Sequence, residues 1–272
     1  MAPGPRIAVT QPSPNHHISA AAERGVPSRR RADGFIVVDQ GPRYAIYFVP
    51  PAQSNLYRYG SSILGYDCYT GNVTGFPGGS ESAAVNWNEL SEEPRRYGFH
   101  ATLKAPFHLL PSHSEHQLIN ALQNFARLGH AIYAFVPAVR LLSDFFAIVS
   151  RDHEPGIDAL AASCTTIFDA FRAPISPQER ARRIASKLND EQIRNLDRWG
   201  YPYVLSQYRF HMTLTGKIPA RRRKTVLAVL LKVFRESAIE PSIAIGRIAL
   251  VKQDMPDSRF RVVSEAVLGG GA

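Results

Sequence analysis

Two near-identical heptads constrain this chain more than any other feature: Tyr97-Gly98-Phe99-His100-Ala101-Thr102-Leu103 and Tyr208-Arg209-Phe210-His211-Met212-Thr213-Leu214. Both read Tyr-x-Phe-His-x-Thr-Leu, and 111 residues separate the two histidines. Each alternates as a half-buried strand does, with successive side chains on opposite faces. Phe99, Ala101 and Leu103 then share one face, and His100 and Thr102 the other. In the second copy Phe210, Met212 and Leu214 are buried, and His211 and Thr213 are presented. A single His-x-Thr-Leu is an ordinary accident of composition and reads as a strand with a hydrogen-bonded histidine. Its duplication is what points to a site. Two such strands at one cleft supply an acid, a base and two hydroxyl clamps, the equipment for breaking a phosphodiester without a metal.

Charge and cysteine content narrow the class. The 272 residues carry a net charge of +9, enough to favour an anionic partner, though the first 34 hold five arginines against Glu23 and Asp33. Arg29-Arg30-Arg31 and Arg221-Arg222-Arg223-Lys224 are the densest basic runs. A nucleic-acid patch is one reading; a basic tail and a solvated helix start is the plainer one. No apolar run approaches the ~18 residues a membrane helix needs, so no membrane association is expected. Cys68 and Cys164 stand far apart with no C-x-x-C spacing, which argues against a zinc site and for a reducing, cytoplasmic setting. His16-His17 has no further ligands spaced to complete a metal site. No cofactor is expected, and the protein reads as a monomer.

Residues 1–34 read as a disordered basic tail broken by Pro3, Pro5, Pro12, Pro14 and Pro27. Residues 35–268 read as one bilobal domain, and 269–272 as a frayed end. Residues 43–49 are a β-rich run closed by Pro50-Pro51, and 55–64 a helix ending at Gly65. A Gly-rich loop over 66–79 leads to a short helix near 87–90. Ser114-Glu115-His116-Gln117 is a capping box that opens a helix to about 128. Strands are expected at 131–136, 138–142 and 145–149. Helices are expected at 156–171, at 176–198 with a break near Asn189, and at 221–235; strands at 247–251 and 260–263 close the chain. The order implies an α+β fold with two antiparallel-rich β-sheets facing a central cleft, helices outside, and a pseudo-twofold relating the lobes.

In phosphodiester cleavage a base takes a proton from the attacking oxygen and an acid gives one to the leaving oxygen. Histidine suits both tasks because its pKa lies near cellular pH. A threonine hydroxyl can donate to a non-bridging phosphate oxygen and hold its charge. These paired motifs resemble those of the two-histidine (2H) phosphoesterase superfamily, with its LigT-like members and RNA 2′,3′-cyclic phosphodiesterases. The wider match is to the uncharacterised branch found in phosphonate-utilisation gene clusters. It is carried by RYAIY at 43–47, EPRRYGFHATLKAPF at 93–107, FRAP at 171–174, RWGYPYV at 198–204 and FHMTLTG at 210–216, within residues 43–265. The N-terminal tail departs from that branch. The resemblance implies His100 and His211 as the catalytic pair, Thr102 and Thr213 as phosphate binders, and a bilobal α+β fold. It implies a small phosphorylated sugar or nucleotide as substrate, such as a cyclic or 2′-linked ribose phosphate.

Parity and charge nominate supporting residues. Lys104 shares the His100 face by alternation and can neutralise phosphate; Arg209 shares the His211 face. Gly98 leaves room for a substrate to approach the backbone. Arg95 and Arg96 are charged enough to clamp a phosphate, and Tyr44 and Tyr208 can stack on a base or sugar, although strand aromatics are more often core. Tyr201 and Tyr203 share that ambiguity. Two readings of different class follow: a phosphoesterase for a small cyclic phosphate or an RNA end, as a cyclic phosphodiesterase or 2′-5′ ligase, or a non-catalytic RNA or nucleotide binder using the same basic cleft. The intact His/Thr pairs favour the enzyme, since a binder needs only charge and stacking.

Overall fold

Nine strands and eight α-helices are described in the computed structural model, which covers residues 41–79, 85–128 and 133–269. The expected tail, residues 1–34, lies outside these, as do Phe35, residues 131–132 and most of the expected frayed end. All described residues fall within one unit, Val38–Ala272.

The strands are β1 (Arg43–Phe48), β2 (Ala101–His108), β3 (Tyr133–Phe135), β4 (Pro137–Leu142), β5 (Phe145–Ser150), β6 (Met212–Thr213), β7 (Ile243–Ile245), β8 (Arg247–Gln253) and β9 (Arg261–Val267). Seven form a sheet in the order β4-β5-β6-β2-β1-β8-β9, and β3 pairs with β7. Every strand pairing is antiparallel. The α+β class with antiparallel pairing is as expected. The two halves, β4-β5-β6 and β2-β1-β8-β9, are continuous through a single register pair, Ala101 with Met212. The two motif strands therefore lie side by side in one sheet.

The helices are α1 (Asn55–Leu64), α2 (Trp87–Leu90), α3 (Glu92–Arg95), α4 (Glu115–Arg127), α5 (Pro155–Ile167), α6 (Pro177–Ile184), α7 (Asp190–Trp199) and α8 (Ala220–Glu236). Their ends follow the sequence signals. Gly65 closes α1 in the left-handed region, where glycine has no Cβ penalty. The Ser114–Gln117 capping box opens α4 with both reciprocal bonds made, a device whose cap serine contributes ~1 kcal/mol. The expected break near Asn189 is a true boundary, since Asn189 caps α7 with its own capping box. The helix expected to reach 171 ends at Ile167 and finishes in a 3-10 turn, Phe168–Phe171.

Packing fixes the motif strands. Phe99, Ala101, Met212 and Leu214 are fully buried. The Phe99 ring lies over Gly60 of α1, where an added Cβ would sit 2.1 Å from it. Any larger residue at position 60 would force β2 off the helix. Residues 208–211 were expected to be strand, yet only Met212–Thr213 forms one. A 3-10 turn, Leu205–Gln207, runs into them. At the other end both Leu214 and Thr215 turn their N–H groups to the Phe146 carbonyl, which ends the ladder.

Candidate active site

Each motif histidine sits one residue ahead of its strand, and each is oriented in the same way. His100 Nδ1 lies 2.9 Å from the Gly98 carbonyl, and His211 Nδ1 lies 2.7 Å from the Arg209 carbonyl. A carbonyl only accepts, so the proton of each neutral ring sits on Nδ1 and Nε2 carries the lone pair. His100 Nε2 accepts from the Thr102 hydroxyl at 3.1 Å. Carrying the antiparallel register one step from Ala101–Met212 sets His100 across from Thr213 and Thr102 across from His211. The four side chains therefore share one face of the sheet, with the two imidazoles on a diagonal of ~7–8 Å at Cα.

Their surroundings differ. His100 stacks flat on Tyr47 of β1, ring centroids 3.6 Å apart and 18° between planes. Tyr97 tilts toward it at 6.4 Å. Burial pushes the His100 imidazole down to about 4; the Gly98 bond opposes this in part and His211 adds to it. At neutral pH the ring is therefore uncharged, while part of the residue stays in contact with solvent. His211 has Phe145 at 5.9 Å beside it and also keeps part of its surface in solvent.

Several nominated residues lie elsewhere. Lys104 was placed on the His face by alternation, but β1 pairs Tyr47 with Thr102 and Ile46 with Lys104. Leu103 is thus an extra residue in β2, and a bulge of this kind moves the next side chain to the other face. The Lys104 ammonium is buried there, donating to the Thr165 carbonyl at 2.9 Å and to Asp169 at 3.2 Å. Burial pushes it down to about 8, with Asp169 resisting the fall. Burial acts to raise the Asp169 carboxyl, but Arg172 and Lys104 outweigh it and hold the group below its usual range. Lys104 is a structural anchor and not a phosphate contact.

Tyr44, on the same helix-facing side, donates to Glu115 of α4 at 2.8 Å. The Tyr208 hydroxyl is buried without a partner among the described residues. Tyr44 is thus buried and offers no face to a ligand, whereas Tyr208 packs partly buried against the core. Arg95 is spent on the Leu64 carbonyl, Asn88 and Ser91, with Phe76 under its guanidinium. Arg209 folds back on the Tyr208 carbonyl at 2.9 Å. Arg96 lines a cavity of 410 Å³ with Glu89, Glu92, Glu93, Tyr97 and Lys217; three glutamates make it a poor phosphate site. Gly98 does not open the backbone to a substrate, because a Cβ there would meet Cys68 at 2.7 Å and φ is +72°. Tyr47 and Tyr97 are the neighbours that sequence reasoning passed over. Tyr47 sits in the same Arg-Tyr-Ala-Ile-Tyr run as Tyr44, and only pairing register distinguishes the two.

Among the described residues, no three His, Cys, Asp or Glu side chains gather as a metal would need, and no helix is long and apolar enough to cross a membrane.

A family profile described as "Protein of unknown function (DUF1045)" matches residues 102–261. The chain belongs to the DUF1045 family. The matched span holds both threonines and His211, and begins two residues after His100. A relative from Janthinobacterium sp. (strain Marseille) is 33% identical over 247 residues, covering 86% of this chain and 53% of that protein. A second, from Laribacter hongkongensis (strain HLHK9), is 32% identical over 176 residues, covering 65% of this chain and 40% of its own. Both are named ribose 1,5-bisphosphate phosphokinase PhnN. The chain spans about half the length of these curated relatives or less. Similar solved structures include Escherichia coli LigT complexed with 3′-AMP, at 11% identity over 85% of this chain and 99% of that one, TM-score 0.42. Another is a conserved protein of unknown function from Agrobacterium tumefaciens str. C58, at 13% identity over 84% and 86% of the two chains, TM-score 0.41.

Proposed function

We propose that this DUF1045 chain is a metal-independent phosphoesterase acting on a small cyclic or 2′-linked ribose phosphodiester. The observation that carries the reading is the meeting of the two His/Thr pairs across Ala101 and Met212. His100, neutral and with its Nε2 lone pair on the shared face, takes a proton from water as the water oxygen attacks phosphorus. His211, protonated at Nε2, gives its proton to the sugar oxygen as the P–O bond breaks. Water is added across that bond, and the two rings end with roles exchanged, ready to be reset by solvent. The Thr102 and Thr213 hydroxyls flank the position of the phosphate and donate to its non-bridging oxygens. Thr102 holds the His100 ring until a phosphate oxygen competes for that hydroxyl.

The relatives' name supports a ribose phosphate as the substrate class. The kinase part of that name is not carried over. The sequence has no Gly-x-x-x-x-Gly-Lys-Ser/Thr loop to cradle nucleotide phosphates, and this chain corresponds to only part of those proteins. A panel of ribose 1,2- and 1,5-cyclic phosphates, nucleoside 2′,3′-cyclic phosphates and 2′-5′ dinucleotides, assayed with EDTA present, tests the reading. Turnover of one cyclic ribose phosphate, lost in His211→Ala, is the expected result. Turnover that requires added zinc or manganese, or binding of RNA with no turnover of any member, would overturn it.

A further inference from the structure

Arg43 opens β1 on the same face as Tyr47, because β1 pairs with β8 in unbroken register from Arg43–Gln253 to Tyr47–Ala249. Two neutral groups hold its side chain. Nε and Nη2 donate to the Gln253 Oε1 at 2.8 and 2.5 Å. The Phe260 ring lies under the guanidinium at 5.5 Å. Gln253 is itself buried, and its amide nitrogen donates to the Pro256 and Ser258 carbonyls. Those two bonds leave the Gln253 oxygen aimed at Arg43. The guanidinium is therefore fixed in place without a carboxylate partner among the described residues. Among the described residues, two of its five N–H donors are used, and three and the positive charge remain. Arg209 in the second motif also lacks a carboxylate among the described residues, but it is exposed and folds back on the Ser206 and Tyr208 carbonyls; two other basic groups are paired. Lys104 is tied to Asp169, and Arg183 to Glu179 at 2.6 Å.

Position gives this charge a use. Arg43 and Tyr47 are four residues apart on an extended strand, ~13 Å at Cα, and Tyr47 underlies His100. Phe260, which lies against the guanidinium, is 6.2 Å from the Tyr47 ring and 5.5 Å from the Tyr97 ring, the two rings beside His100, and the Arg43 charge acts on the Tyr47 phenol. Rigid, forked and uncompensated, it suits a phosphomonoester better than a mobile lysine does.

We propose that Arg43 anchors a second anion of the substrate, a phosphomonoester on the far side of the sugar whose cyclic phosphate lies between His100 and His211. The inference rests on the phosphoesterase reading for the reacting phosphate, and it narrows the substrate to a sugar bearing two phosphates, one cyclic and one terminal. The nucleobase of a nucleotide would leave this charge unanswered.

The test compares a ribose cyclic phosphate carrying a 5-phosphate with the same compound bearing a free 5-hydroxyl. In the wild type, kcat/KM should favour the phosphorylated compound. In Arg43→Gln that preference should fall about 10- to 100-fold, the range for a lost charge-assisted hydrogen bond. Arg43→Lys should recover part of it, and the thermal midpoint should show that both variants fold. A preference unchanged in Arg43→Gln, or one absent from the wild type, overturns the proposal. Equilibrium binding of ribose 5-phosphate to the His100→Ala protein separates the two readings. Arg43-dependent binding without wild-type turnover of any cyclic compound would sink the phosphoesterase and spare the anion site. Turnover with binding indifferent to Arg43 would do the reverse.

Discussion

Ala101 and Met212 are the one pair of residues through which the two motif strands meet, and both are fully buried. That contact sets the whole site, because the side chains one step to either side of it are His100, Thr102, His211 and Thr213. It also makes the two histidines a single unit. His100→Ala and His211→Ala should each cost ~10² to 10⁴ in turnover, the range for a lost acid–base group. The double variant should be little worse than either single one. Additive losses measured under single-turnover conditions would show that the rings act independently.

Tyr47 should set the pH range of the base. Its ring covers one face of the imidazole, and burial pushes His100 down to about 4. Tyr47→Leu uncovers part of that face, so the acidic limb of the rate profile should move up toward 6.5, the ordinary histidine value. The limbs of such a profile belong to the pair, so the shift is best read beside a titration of the His100 ring by NMR. A limb that stays in place would assign the low value to something other than the stack.

Lys104 should behave as a structural residue. Lys104→Met removes one cation from Asp169, which keeps Arg172 at 2.7 Å and Arg198 at 3.6 Å. The loss should therefore be smaller than the ~3–5 kcal/mol of a fully orphaned buried charge, about 1–3 kcal/mol in denaturant unfolding. KM should change little in protein that remains folded. A KM rise with unaltered stability would return Lys104 to the substrate.

Much of this was legible in the sequence, and the failures share one cause. The motif pair, the buried Phe99 and Met212, the Asn189 boundary and the α4 capping box are set by neighbours close in sequence, where period and capping chemistry decide. Lys104 and Tyr44 were misplaced because which face a strand residue takes depends on register; Tyr208 lies outside β6, after the Leu205–Gln207 turn. The extra residue at Leu103 lies in the pairing of β2 with β1, a contact between segments about 55 residues apart. Gly98 was read as an opening because glycine is silent about why it is needed. Cys68, 30 residues away, is what fills that space. Arg43 was passed over because its value comes from Gln253 and Phe260, more than 200 residues downstream.

Gly98→Ala should weaken both stability and turnover. The substitution places a Cβ 2.7 Å from the Cys68 Cβ and puts alanine at φ +72°, a left-handed conformation that costs ~1–2 kcal/mol before any clash. Relief requires the Gly98 peptide to shift, and its carbonyl is the acceptor that orients His100. Turnover per folded molecule should fall more than KM rises. Loss of stability with turnover intact would show that the carbonyl is not what aims the ring.

His100 also predicts how stability depends on pH. Its value in the folded protein, about 4, lies below the ~6.5 of an unfolded chain. Between those values the unfolded state binds the extra proton, so this group's contribution to stability is complete above about 6.5 and is lost as pH falls toward 4. Carboxylates such as Asp169, also held low, add losses of the same sign at lower pH. The His100 share is isolated by comparing wild type with His100→Gln, which keeps a polar side chain but does not titrate. The difference in unfolding free energy should grow steadily from pH 7 to pH 4 in favour of the variant. Parallel curves across that range would show that the ring is not held neutral by the fold, and the assignment of His100 as the base would fall with it.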